Sequence, residues 1–167
     1  MVRNDDGPPT EARPPLLADL IALCRSLNRE GARYIVIGGM AIIQAGFVRA
    51  TEAIDLLLDG SAENVARVKR ALLDLPDQAV REMAPEDVDR YTVVRVADEF
   101  VVDLLKTAGG ISFPEAATLV DLVTLEEVSI PFANAELLWR TKQGPREKDR
   151  LDRQFLAARR ASEEDAE

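Results

Sequence analysis

The segment YIVIGGMAIIQAGFVRATEAIDLLLD, from Tyr34 to Asp59, constrains the fold of this chain more than any other. Tyr34–Ile37 is a β-branched and aromatic run of strand length. Gly38 and Gly39 end it, and two glycines allow positive φ and a close approach to the backbone, because no Cβ intervenes. Met40–Gly46 then reads as a short helix, whose first N–H groups point back at the turn and suit a phosphate. Arg49 and Thr51 follow, both candidate phosphate or nucleotide contacts. Ile54–Leu58 is a second strand and carries Asp55. Both strands are apolar at nearly every position, which predicts two covered faces and a central place in a sheet. A triphosphate held at Gly38-Gly39 would need a metal ion beside it, and Asp55 opens the strand that would supply a ligand.

The remaining elements fall before and after this unit. Pro14-Pro15 precede an amphipathic helix from about Leu16 to Asn28, closed by Glu30-Gly31. Ser61 caps a helix running to about Leu75, and Pro76 stops it. Asp77 to Asp89 reads as a polar connection. Tyr91–Val96 and Phe100–Leu105 form a hairpin around Ala97-Asp98-Glu99. Phe113–Leu119 is a candidate short helix. Val128–Phe132 is a strand expected at an edge, because Pro131 has no N–H. Asn134 caps a helix through Lys142, and Pro145 starts a final helix to about Arg160. Residues 1–13 and 161–167 are expected as disordered tails around a single domain over 14–160. This order predicts the α/β class: a small mixed sheet layered by helices.

Composition narrows the chemistry. A chain of 167 residues with 47% hydrophobic content supports one domain with a real core. No apolar run approaches the roughly 20 residues that cross a membrane, and the first residues, MVRNDDGPPTEARPP, lack an apolar signal-peptide core. A cytoplasmic location with no membrane partner is the expectation. The single cysteine, Cys24, excludes an internal disulfide and sits on a helical apolar pattern. There is no histidine, which removes His-based general bases, Ser-His-Asp triads and ordinary zinc sites. A metal here would be a hard cation on oxygen ligands, Mg²⁺ or Mn²⁺. The net charge of −9 argues against a general polyanion binder. Eight basic side chains nevertheless lie between Arg140 and Arg160, either a local basic face or a solvated helix laced with i,i+4 ion pairs.

The series Gly38-Gly39, Arg49-Ala50-Thr51-Glu52-Ala53-Ile54-Asp55, Val102-Asp103-Leu104-Leu105, Lys142, and Arg146-Glu147-Lys148-Asp149-Arg150-Leu151-Asp152 resembles the nucleotidyltransferase superfamily typified by DNA polymerase β and kanamycin nucleotidyltransferase. It is most similar to the AbiEii-type, toxin–antitoxin-associated branch, over most of the chain to about Asp152. The resemblance implies the minimal nucleotidyltransferase fold with a short helical C-terminal extension. It implies NMP transfer from Mg-NTP to a hydroxyl on RNA or protein. It also implies Asp55, Asp103 and Lys142 as catalytic residues, with Asp55 and Asp103 the metal ligands. Gly38, Gly39, Arg49 and Thr51 are then nucleotide contacts. On its own residues, Asp103 lies in an apolar run where Lys106 is the nearest cation along the chain. Asp149 and Asp152 read as a solvated helical face.

One position departs from the pattern. Where the branch has the first carboxylate of an Asp-x-Asp pair, this chain has Ala53. Residues two apart on a strand share a face, so position 53 should supply a metal ligand beside Asp55, and alanine has none. The chain is then a degenerate relative that binds nucleotide without turnover, an inactivated form, or a form in which Glu52 compensates by a register shift. The expected function is a nucleotidyltransferase-like protein, inactive or impaired. The alternative is a non-catalytic nucleotide-binding or toxin–antitoxin interaction module.

Overall fold

The computed structural model describes residues 2–4, 12–47, 50–142 and 147–166. In chain order the elements are β1 (Val2–Asn4), α1 (Leu17–Arg29), β2 (Tyr34–Ile37), α2 (Gly38–Gln44), β3 (Ala53–Leu58), α3 (Ala62–Leu72), α4 (Asp87–Arg90), β4 (Val94–Ala97), β5 (Val101–Leu105), β6 (Thr107–Ala108), β7 (Ile111–Ser112), α5 (Phe113–Ala116), β8 (Val120–Leu125), β9 (Val128–Ala133), α6 (Ala135–Thr141) and α7 (Glu147–Ala166). A seven-stranded mixed sheet has the order β1-β4-β5-β3-β2-β9-β8, and β6 and β7 pair separately. The α/β class and the central placing of the two apolar strands agree with the sequence.

The sheet's two faces follow from register. Tyr34 donates its hydroxyl to Asn28 Oδ1 of α1 at 2.9 Å. Val36 lies opposite Leu56, and Leu56 opposite Leu104. By strand alternation these residues share the face under α1. Ile35, Leu57, Asp55 and Asp103 therefore project to the other face. Under α1, Leu20, Cys24 and Leu27 are fully buried. Burial pushes the Cys24 thiol up to about 12, opposed by its hydrogen bond with Tyr34.

Caps and buried polar groups fix the helices. Ser61 accepts from Asn64 N at 3.2 Å and Asn134 from Leu137 N at 2.9 Å, as the sequence predicts. Asn64 is buried, and its side chain bonds Arg33 N, Arg33 O and Asp59 O at 2.7, 2.9 and 2.7 Å. Those bonds tie α3 to the entrance of β2 and the exit of β3. Asp98 is buried at the β4–β5 turn and accepts from the backbone N–H groups of Asp77, Ala79 and Glu99.

Several boundaries differ from expectation. Val2–Asn4 pairs antiparallel with β4. Arg13 grips Asp19 at 2.6 and 2.8 Å and Glu99 at 3.0 Å, so this end of the chain joins the first helix to the β4–β5 turn. At the other end α7 continues to Ala166. The 77–89 connection carries a 3₁₀ turn over Ala79–Glu82 and buries Val80, Met83 and Val88. Val128–Ala133 is not at an edge: it lies between β2 and β8, and β8 is the edge strand. Pro131 is tolerated there because β9 meets β2 at only one register pair, Val36 with Phe132. The Pro145 helix start lies outside the described residues.

The β8–β9 turn is strained. Leu125 pairs with Val128, leaving Glu126 and Glu127 as a two-residue loop with φ of 48° and 68°. Such primed turns favour Asn-Gly, and a Cβ in the left-handed region costs about 1–2 kcal/mol per residue. Replacing the pair (Glu126→Asn, Glu127→Gly) is predicted to raise the thermal midpoint by about 2–4 °C. A midpoint that stays or falls would mean that the glutamates make compensating contacts.

Candidate functional site

The site is a row across three adjacent strands. Asp55 of β3 lies opposite Asp103 of β5 in a parallel ladder, and Arg95 of β4 lies opposite Asp103 in an antiparallel one. Residues facing each other across a ladder project to the same side. Both carboxylates therefore leave the same face, as a shared site requires. The row continues to Ile37 at the end of β2, opposite Asp55.

The glycine turn closes on this row. Gly38 has φ of 67°, and a Cβ there would run into Asp55 Oδ2 and lie 2.9 Å from its Cγ. Glycine is thus required twice, by the backbone angle and by the carboxylate seated against it. Gly39 is buried behind it in the first turn of α2. The helix starts at Gly38 itself rather than at Met40.

Asp103 is 7% exposed. Its two oxygens accept from Arg95 Nε at 3.0 Å and Arg95 Nη2 at 3.1 Å. This bidentate fork is the strong form of a carboxylate–guanidinium contact. Reading along the chain missed Arg95 and pointed to Lys106, whose ammonium instead pairs with Asp89. The register is shifted from the expected one: Ala97 pairs with Val101 instead of lying in the turn, and this sets Arg95 opposite Asp103.

Ala53 lies one step along β3 from Asp55, on the same face and buried. Its register partner is Val101, which in turn faces Ala97. The position is therefore lined by apolar side chains. The β3–β5 ladder runs regularly from Ala53 to Leu57, so no slip brings Glu52 onto the Asp55 face. Thr51 donates its hydroxyl to Ala53 O at 3.0 Å, securing the strand entrance. Arg49 lies outside the described residues.

The donor set does not fit a two-metal centre. Such a centre needs carboxylate oxygens within roughly 2.1 Å of each ion. Position 53 has no oxygen on its side chain, and both oxygens of Asp103 accept from Arg95. Among the described residues no group of three His, Cys, Asp or Glu side chains is gathered for a metal.

The C-terminal motif forms a separate cluster. Lys142 Nζ lies 3.6 Å from Asp149 Oδ1 and 3.4 Å from Asp152 Oδ2, and all three residues are buried. Asp149 and Asp152 are thus not on a solvated face, contrary to the sequence reading. Arg153 Nη1 donates to Lys142 O at 2.9 Å. Phe155 stacks on Phe47 with ring centroids 5.0 Å apart. Together these contacts fasten α7 to the end of α6 and to the segment after α2. The outer arginines behave as a charged helical face: Arg140 pairs with Glu136 and Arg159 with Glu163, both i,i+4. Arg160 reaches Glu136 at 2.6 Å and lies over the Trp139 ring. Among the described residues no helix is long and apolar enough to cross a membrane.

Among solved structures the fold resembles a Thermotoga maritima protein, TM1012, described as a candidate nucleotidyltransferase. The TM-score is 0.54 and the identity 18%, with 85% of this chain and 92% of that one covered. No family profile matches the chain, and no curated protein matches its sequence. At this identity the likeness is one of fold alone.

The seating of Asp55 on Gly38 is testable by a double-mutant cycle. Gly38→Ala is predicted to cost at least about 2 kcal/mol, from the positive φ and the blocked carboxylate. In an Asp55→Ala background the same change should cost at least about 1 kcal/mol less. Equal costs in urea unfolding would show that the carboxylate does not rest on the glycine.

Proposed function

We propose that this chain is a nucleotidyltransferase-like protein of the AbiEii type, organised around a Mg-NTP cleft but impaired in NMP transfer in its present form. The reaction of that class joins an acceptor hydroxyl oxygen, on RNA or protein, to the α-phosphorus and breaks the bond from that phosphorus to pyrophosphate. The fold and the meeting of Gly38, Asp55 and Asp103 support the assignment to the cleft. The observation that carries the impairment is Ala53, buried on the Asp55 face with Val101 as its register partner. Gly38, Gly39, Arg49 and Thr51 are the proposed nucleotide contacts. Lys142 is the proposed triphosphate or pyrophosphate contact, and it already pairs with Asp149 and Asp152. Because the donor set does not fit the metal centre, no catalytic step is assigned to the chain as it stands.

A second reading is favoured by the Arg95–Asp103 fork. A carboxylate already neutralised by a guanidinium suits a module that binds nucleotide, or a toxin–antitoxin partner, without catalysis.

Labelled-NTP transfer to bulk RNA and protein separates these readings. The Ala53 form should transfer negligibly, and Ala53→Asp should gain Mg²⁺-dependent transfer of at least about tenfold. Equal activity in both forms would remove position 53 from the reaction. A variant that gains nothing, yet whose midpoint rises with NTP, would favour the non-catalytic binder. Absence of both responses would favour an interaction module.

A further inference from the structure

We propose that Arg95 is a resident cation that takes the place of a divalent metal at Asp103, so that two independent features, Ala53 and the Arg95 fork, each weaken Mg²⁺ binding in this cleft. The inference rests on reading the cleft as nucleotidyltransferase-like, but its test uses Mg²⁺ alone and no nucleotide.

The reasoning is electrostatic and geometric. Asp55 and Asp103 sit opposite each other on neighbouring parallel strands, with Asp103 buried. Two adjacent carboxylates on one face repel, and the pair needs a cation or a proton. In metal-dependent sites the divalent ion supplies that charge. Here Arg95 approaches from the next strand and spans both oxygens of Asp103 at 3.0 and 3.1 Å. The Arg95 side chain is 27% exposed and the Asp103 side chain 10%, so solvent screens the pair only partly. Mg²⁺ bound to a carboxylate oxygen of Asp103 at roughly 2.1 Å would stand beside this guanidinium, and the two positive charges repel. Arginine does not deprotonate, and the charge is therefore permanent. β4 also sets the fork: the β4–β5 turn, locked by buried Asp98, fixes the register that faces Arg95 to Asp103.

Restoring a carboxylate at position 53 therefore leaves the second obstacle in place. The experiment is a Mg²⁺ titration followed by thermal unfolding for wild type, Arg95→Gln, Ala53→Asp and the double variant. Wild type should not respond to Mg²⁺. Arg95→Gln should lose roughly 5–10 °C without metal and recover part of it as Mg²⁺ is added. The double variant should reach half its Mg²⁺ response at a concentration at least about tenfold below that of Ala53→Asp. Identical Mg²⁺ responses with and without Arg95, in both backgrounds, would overturn the proposal. If Arg95→Gln does not fold, the Arg95 Nε–H resonance of ¹⁵N-labelled Ala53→Asp gives the answer. Its exchange with water should speed up as Mg²⁺ displaces the fork. An unchanged resonance at Mg²⁺ concentrations that stabilise the variant would show that metal and fork coexist, and would equally overturn it. Failure of NTP binding or transfer would bear on the proposed function and leave these metal-only responses as they are.

Discussion

The parallel register of β3 and β5 is the constraint from which the site follows. It sets Asp55 beside Asp103 on one sheet face and so creates a charge problem that the fold must solve. Burying like charges without compensation is costly, and the partner must come from an element already packed alongside. β4 provides it, because the hairpin that returns into β5 carries Arg95 at the same level. Gly38 completes the arrangement from the other side: with no Cβ, it lets the Asp55 carboxylate lie against the backbone. Three strands and one glycine turn thus define a cleft in which the charge of Asp103 is met within the protein.

That balance distinguishes this cleft from one built for two metal ions. A metal centre gathers several carboxylate oxygens whose negative charge the ion itself neutralises. On the proposed reading Ala53 removes one donor, and the Arg95 fork neutralises Asp103. The two features differ in kind. Ala53 takes away coordination geometry, whereas Arg95 competes for the ligand through charge. The C-terminal cluster shows the same preference for internal neutralisation. Lys142, Asp149 and Asp152 bury their charges against each other and hold α7 to the end of α6.

The parts of the fold readable in the sequence were those governed by local chemistry. Tyr34–Ile37 and the apolar run around Asp55 announced central strands, Gly38-Gly39 announced the turn, and Ser61 and Asn134 announced helix starts. Asp55 and Asp103 were brought to one site by the resemblance, and the β3–β5 register sets them on one face. What escaped was set across strands. Arg95 was overlooked because cations were counted along the chain, where Lys106 is nearer, and because a hairpin closing on Ala97-Asp98-Glu99 sets Val93, not Arg95, opposite Asp103. The place of Val128–Ala133 was misread because Pro131 suggests an edge, and because β8, which takes that edge, was not read as a strand although four of its six residues are apolar. Asp149 and Asp152 looked solvated because a helical charge run usually is, and only the burial of Lys142 between them reverses that reading.

The central claim is that this cleft holds its own cation and does not take up a divalent metal. A crystal of the unmodified protein soaked in Mn²⁺, with anomalous diffraction recorded at the manganese edge, tests it most directly. The account predicts no anomalous peak between Asp55 and Asp103, with both oxygens of Asp103 still bound to Arg95. A Mn²⁺ peak bridging the two carboxylates, with the guanidinium turned away, would contradict it.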